Sequence, residues 1–335
     1  MEKQEMTTQR RLPRRHTPVQ EKDQVRLPDD HRQNWRTALA KSFRRYYWLY
    51  LFIFPTLLYY IVFYYVPMGG IVVAFKRYSG ALGILKSRWV GLKWFKSFFS
   101  SYYFGTVMSN TILLSLYSML TFPLPIIMAL IINEVRNEKY KKFAQTIMYA
   151  PHFISMVVLV SMLTLFFNPN YGFVNTIIKA LGGEARNFMA ESGSFRSLYV
   201  WSGVWQNLGW SCIIYVAALS GVDPALHEAA TLDGASRLQR ILHVNLPAIM
   251  PTIIIMLIMR VGHIMGVGAD KVLLMKNDLN SSTAEVIGTF VYQRGLIGGE
   301  FSYATAVGLF TNIINLILLL TVNKISAKVS ETSLF

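Results

Sequence analysis

Residues able to do chemistry are sparse and mostly solitary in this chain. It carries one cysteine, Cys212, and six histidines in 335 residues, which excludes an internal disulfide framework and any cysteine-built zinc site. Cys212 lies inside an apolar run and reads as a small packed hydrophobe. Asp270, Asp278, Glu285 and Glu300 form no recognisable acid–base pair of the kind a polysaccharide-cleaving enzyme needs. No Gly-Lys dipeptide occurs, so the chain has no G-x4-G-K-S/T loop to cradle phosphates. His152, beside Pro151, has no second ligand at helical spacing and reads as structural. Catalytic and metal-ligating residues are therefore expected to be absent.

What remains is a set of polar groups inside apolar runs. An arginine at the centre of a membrane-crossing helix costs about 2.5–3.5 kcal/mol on insertion scales. Arg260, three turns into the fifth run, must therefore face protein or a water-filled path, and His263 at i+3 shares its face. Asn312 and Asn315 share a face of the sixth run. In the fourth, Trp201, Trp205, Gln206, Asn207 and Trp210 combine aromatic planes with amides, chemistry suited to stacking on a sugar and bonding its hydroxyls. Packing accounts for the same residues equally well, since buried amides bond between helices and tryptophans favour membrane interfaces.

A second cluster sits between the fourth and fifth runs, from Asp223 through Pro224, Glu228-Ala229-Ala230, Asp233, Gly234 and Leu246-Pro247 to Pro251. Pro224 opens a helix at no cost in hydrogen bonds, because its missing N–H falls in the first turn. Gly234 supplies the permissive backbone for a sharp turn into a second short helix. Pro247 and Pro251 mark the return to the membrane. A helical hairpin outside the bilayer is expected, with small alanines allowing a partner to approach closely.

The elements that must position these residues are membrane spans. The chain is 53% hydrophobic and 15% charged, against about 25% charged for soluble domains. Six apolar runs, at about 46–67, 104–132, 143–167, 198–222, 248–268 and 303–322, are each long enough to cross a hydrocarbon core of about 30 Å. The net charge of +15 is spread over the tail and the loops between runs, the positive-inside pattern rather than a nucleic-acid stripe. Lysines and arginines favour the side holding both termini, twenty to twelve, which predicts cytoplasmic termini. The 67–103 loop runs against this trend, with Lys76, Arg77, Lys86, Arg88, Lys93 and Lys96 and no acid. Residues 1–45 are polar and proline-containing, and read as a basic cytoplasmic tail, largely disordered and helical from Trp35. The segment is not a secretory signal peptide, because its basic region is too long and no cleavage site follows. Residues 46–335 are expected to form one transmembrane domain.

The spacing Glu228-Ala229-Ala230, three residues, Gly234, nine residues, Val244, one residue, Leu246-Pro247 is similar to the signature loop of ABC importer permeases of the maltose-type superfamily. Trp89-Val90-Gly91-Leu92 with Phe95 resembles the pre-span motif of carbohydrate permeases. Asn133-Glu134-Val135-Arg136, the run from Tyr149 to Ser155, Gly209-Trp210, Ile213-Ile214-Tyr215 and Tyr303 to Phe310 resemble the branch importing fragments of pectin, alginate and related polysaccharides. The resemblance implies an all-α type I importer permease fold, with six transmembrane helices and a cytoplasmic coupling-helix loop. It also implies a second homologous permease forming a heterodimer, two ATPase subunits that bind ATP and Mg, and an extracytoplasmic solute-binding protein. The cargo would be an oligosaccharide, acidic if the basic 67–103 loop contacts it, carried across a bacterial cell membrane with no cofactor on this chain. Glu228 would be the ionic contact to the ATPase, with Ala229, Ala230, Asp233, Gly234, Leu246 and Pro247 completing the docked loop. Ile241 and Val244 depart from the family's usual Phe and Ile but stay apolar. The competing class is a secondary carrier or channel without ATP coupling, which calls for two related halves or charged coupling residues in several spans. Neither is visible apart from Arg260.

Overall fold

The computed structural model describes residues 35–330 and 334, with side chains from 45 to 328 and at 334. Most of the expected tail therefore lies outside the described residues. The chain divides into two compact units, Met1–Val66 and Pro67–Phe335. The described part of the first is helix α1 (Trp35–Tyr60), continued by a π-helical turn over Ile61–Tyr65. Its Tyr59 and Phe63 rings pack 5.1 Å apart, one turn of helix separating them.

The described residues of the second unit form helices joined by loops, with two short antiparallel strands, β1 (Lys76–Arg77) and β2 (Arg88–Trp89), in the basic loop. Its main helices are α2 (Lys93–Phe99), α3 (Tyr103–Leu120), α4 (Pro123–Asn133), α5 (Glu138–Tyr149), α6 (Met156–Phe166) and α7 (Ser192–Ser220). These are followed by α8 (Pro224–Leu232), α9 (Arg237–Arg240), α10 (Met250–Val261), α11 (Ala269–Met275), α12 (Ile287–Tyr292) and α13 (Phe301–Ser330). Three segments cross-membrane in length and apolarity are unbroken, Arg45–Phe75, Tyr103–Asn133 and Phe301–Lys328. Three more are pairs bent at a break: α5 with α6 by 95°, α7 with α8 by 73°, and the stretch through α9 with α10 by 61°. Counting each bent pair as one crossing gives six.

The bends have local causes. The apolar run 143–167 reads as one span, yet it is broken at Ala150–Phe153, which forms a 3-10 turn containing Pro151. Pro151 donates no backbone hydrogen bond and its ring disfavours a continued α-helix. The Ser155 hydroxyl then restarts the chain by accepting from the Val158 N–H at 3.3 Å, an N-cap that satisfies an orphan donor. Likewise, the run 248–268 ends as helix at Val261. Beyond it the backbone turns through Gly262 and Gly266 into α11.

Three buried clusters hold the second unit together. One gathers Leu114, Phe195, Val272 and Val286, joining α3, α7 and α11 to the segment before α12. Another packs Phe98 of α2 against Phe290 of α12 and Tyr303 of α13. The third joins Ile126 of α4 to Cys212 and Tyr215 of α7 and to Ile249. Cys212 is fully buried there and its thiol donates to the Pro125 carbonyl at 3.2 Å, in keeping with a packing role. Small residues permit the close approaches that drive association inside lipid. A Cβ on Gly209 would overlap the Met148 carbonyl.

Candidate functional site

The hairpin between α7 and α10 is built from short-range signals. The Asp223 side chain accepts from the Ala225 N–H at 2.9 Å and caps α8, with Pro224 at its first position. At the far end Gly234 has φ 77°. Its N–H donates to the Thr231 carbonyl at 3.1 Å, and the Ala235 N–H donates to the Ala230 carbonyl at 2.9 Å. These two bonds form a Schellman closure, which needs a left-handed residue where Gly234 stands. Ser236 and Gln239 then form a capping box that starts α9. Arg240 donates from Nη1 to the Thr231 hydroxyl at 2.8 Å and ties α9 back to α8.

Glu228, Ala229, Asp233 and Gly234 are solvent-exposed, and Ala230 is half-buried. Leu226, Leu232 and Leu238 are exposed around them, Leu232 at 89%. Sequence reading missed these three leucines, although a bulky apolar residue flanking a capped surface hairpin is the signal that could have found them. At the base of the hairpin Leu246 and Ile241 pack on the cluster around Ile126 and Ile249. Pro247 lies in the short helix Leu246–Ala248. Asn245 is fully buried and its Nδ2 donates towards Glu134 at 3.5 Å, while its side-chain Oδ1 has no partner.

Between the helices lies a cavity of about 330 Å³, lined among others by Ser118, Thr121, Gln206, Asn207, Arg260 and Lys271. A second cavity of about 200 Å³ shares Ser118, Tyr199, Arg260 and Gly268 with it and is also lined by His263. Arg260 and His263 thus face the same space, as their spacing predicts. The Arg260 guanidinium donates to the Ser118 carbonyl and, at 3.3 Å, to the Thr121 hydroxyl. It also lies 5.8 Å from the centre of the Phe122 ring. Lys271 was not anticipated from the sequence. Only its place directly before the apolar stretch Val272–Met275 hints at burial. It stands in α11, outside the membrane-crossing helices, and burial pushes its ammonium down to about 8.

The fourth-run cluster is divided by the fold. Gln206 and Asn207 line the polar cavity. They also hold the break between α5 and α6: Gln206 Nε2 donates to the Ile154 carbonyl at 2.7 Å, and His152 Nδ1 bonds Asn207 Oδ1 at 2.9 Å. Trp210 stacks on His152, with ring centres 4.3 Å apart and planes 5° from parallel. Trp201 and Trp205 line a different, apolar cavity of about 440 Å³ with Leu159, Met162 and Phe166. Trp201 donates to the Tyr117 hydroxyl at 3.0 Å. Asn315 accepts from the Met265 N–H at 3.0 Å and Asn312 is exposed; neither lines the two cavities beside Arg260. Among the described residues no cluster of three or more metal-ligating side chains occurs. Glu285 is engaged structurally, paired with Lys276 and accepting from the Thr289 hydroxyl.

The family described as binding-protein-dependent transport system inner membrane component matches residues 121–331. Protein LplB of Bacillus subtilis (strain 168) is 43% identical over 303 residues, spanning 90% of this chain and 94% of that protein. The polygalacturonan/rhamnogalacturonan transport system permease protein YteP of the same organism is 44% identical over 289 residues, 86% of this chain and 90% of that one. Among solved structures, a chain of a bacterial ABC transporter involved in the import of the acidic polysaccharide alginate superposes with a TM-score of 0.81 at 37% identity. That match covers 88% of this chain and 99% of the other. The same figures hold for the alginate transporter in complex with an alginate pentasaccharide-bound periplasmic protein.

Proposed function

This chain belongs to the family of inner membrane components of binding-protein-dependent transport systems, and from that premise we propose that it lines the route of an oligosaccharide into a bacterial cell. It is a permease subunit of an ABC importer and not an enzyme. Two ATPase subunits hydrolyse ATP, a second permease of the same kind completes the pathway, and an extracytoplasmic solute-binding protein delivers the cargo. The chain itself holds no cofactor. It sits in the cell membrane with both termini in the cytoplasm and its basic 67–103 loop outside.

The observation that carries this reading is the hairpin. Its α8 is capped at both ends, presents Glu228 beside exposed leucines, and is braced at its base by Leu246 and Ile241 in the core. A rigid projection of this kind transmits motion, because a packed element moves as one body rather than deforming. The cavity beside Arg260, where Gln206, Asn207, Ser118 and Thr121 stand among apolar side chains, suits a ligand that offers both hydroxyl groups and apolar ring faces. Reconstitution with the partner subunits in vesicles tests the reading directly. Oligosaccharide uptake should require ATP, the binding protein and this chain together; uptake that persists without ATP would return the carrier alternative.

A further inference from the structure

The cavity beside Arg260 holds a second cation, and among the described residues neither forms an ion pair. Lys271 is 4% exposed. Its Nζ donates to the Tyr199 carbonyl at 2.7 Å and lies 4.7 Å from the centre of the Tyr199 ring. Arg260 is held by the Ser118 carbonyl, the Thr121 hydroxyl and the Phe122 ring. These contacts orient the two charges without neutralising them. Ion pairs among the described residues are Arg186–Glu191, Lys276–Glu285 and Arg294–Glu300, all elsewhere. Asp270 also lines the cavity but is solvent-exposed, where water and salt screen its charge.

Burying a cation without a partner is costly, and an apolar side chain of the same volume would pack at lower cost. Buried Lys271 and half-buried Arg260, set among the apolar and polar side chains of one cavity, make it a place where an anion is stabilised. The Tyr199 carbonyl is a weak resting partner. A carboxylate forms a charge-assisted bond roughly twice as strong as a neutral one, so an arriving anion can draw Lys271 away from it. Among the other groups lining the cavity, Gln206 Oε1 has no partner and can accept from a hydroxyl group.

We propose that Lys271 and Arg260 form a charge-selecting pair in the pathway, each receiving a carboxylate of an acidic, uronate-type oligosaccharide as it passes. This rests on the oligosaccharide reading above and adds the charge of the cargo and the residues that read it.

The test uses the complete importer in vesicles, with the binding protein saturated by a galacturonate trisaccharide or by its uncharged methyl ester. Lys271→Met is expected to slow uptake of the acid by about tenfold or more, the effect of one lost charge-assisted bond, and to leave uptake of the ester unchanged. Lys271→Arg should keep the preference for the acid. Equal slowing of acid and ester in Lys271→Met would assign Lys271 to packing, and no change in either would remove it from the path. A wild type that imports the ester as fast as the acid also overturns the inference, as does a Lys271→Arg importer without preference, even if the Met variant fails to assemble. A wild type importing neither sugar refutes the oligosaccharide reading itself, and this inference with it.

Discussion

Gln206 shows how one side chain in lipid surroundings is bound to a backbone defect. Its Nε2 satisfies the Ile154 carbonyl freed by the break after α5, while its Oε1 is buried without a partner. No water in the bilayer core can take over such a bond, so freed backbone groups depend on side chains like this one. Gln206→Leu is expected to destabilise the complex by about 1–3 kcal/mol, the cost of one unsatisfied buried carbonyl, seen as a lower thermal midpoint in detergent. Trp205 lies on the apolar cavity instead, and Asn207 on the polar one. Asn207→Ala should therefore reduce uptake more than Trp205→Ala, measured at equal amounts of assembled importer. Glu228 is exposed on α8 and is expected to pair with a basic group of the ATPase. Truncating one partner of a desolvated pair costs about 2–5 kcal/mol, so Glu228→Ala should diminish both ATPase co-purification and uptake. Retention of both would remove Glu228 from the coupling contact.

At the scale of elements, the hairpin and the broken helix behave differently under substitution. Gly234 sits at φ 77° with open space around its Cβ position. A side chain there meets backbone strain rather than a clash, at about 1–2 kcal/mol for an L-residue in the left-handed region. Gly234→Val should therefore loosen the turn between α8 and α9 and lower ATPase co-purification, with membrane insertion and the amount of chain in the membrane unchanged. Gly209 presents the opposite case. Any Cβ would overlap the Met148 carbonyl, so Gly209→Val should force α7 from α5 and reduce the folded yield. If Gly209→Val accumulates normally with a wild-type thermal midpoint, the close approach of α7 to α5 is not required for folding.

For the whole molecule the decisive quantity is orientation in the membrane. The tail and the loops at 133–142 and 223–247 place most of the positive charge on one side, against six cations in the 67–103 loop. Charge near the ends of the first spans usually dominates. A tag at residue 20 or at the C-terminus should be reached by impermeant reagents only from the cytoplasm, and one near Ser281 only from outside. Reversed labelling would make the 67–103 loop the determinant and would place the hairpin away from any cytoplasmic ATPase.

Local chemistry made the hairpin legible before any fold was known. Pro224 and Gly234 act within a few residues of themselves, as helix opener and turn former, so their roles follow from spacing alone; the Asp223 cap and the Ser236–Gln239 capping box are equally local but emerged only with the structure. The apolar runs were legible for a similar reason, because length and composition decide what a bilayer accepts. The number of polar residues inside the runs was also readable, but not their partners. Gln206 meets Ile154 and Asn207 meets His152 across 52 and 55 residues of chain, and Asn110 reaches Glu285 across 175. Only the packing of α7 against the α5–α6 break could separate Trp210 on His152 from Trp201 and Trp205 on the apolar cavity. Lys271 makes the point most sharply. In sequence it is an ordinary lysine just after a span; the turn at Gly262–Gly266 folds it back beneath Tyr199, and burial there turns a solvated charge into a candidate for recognition.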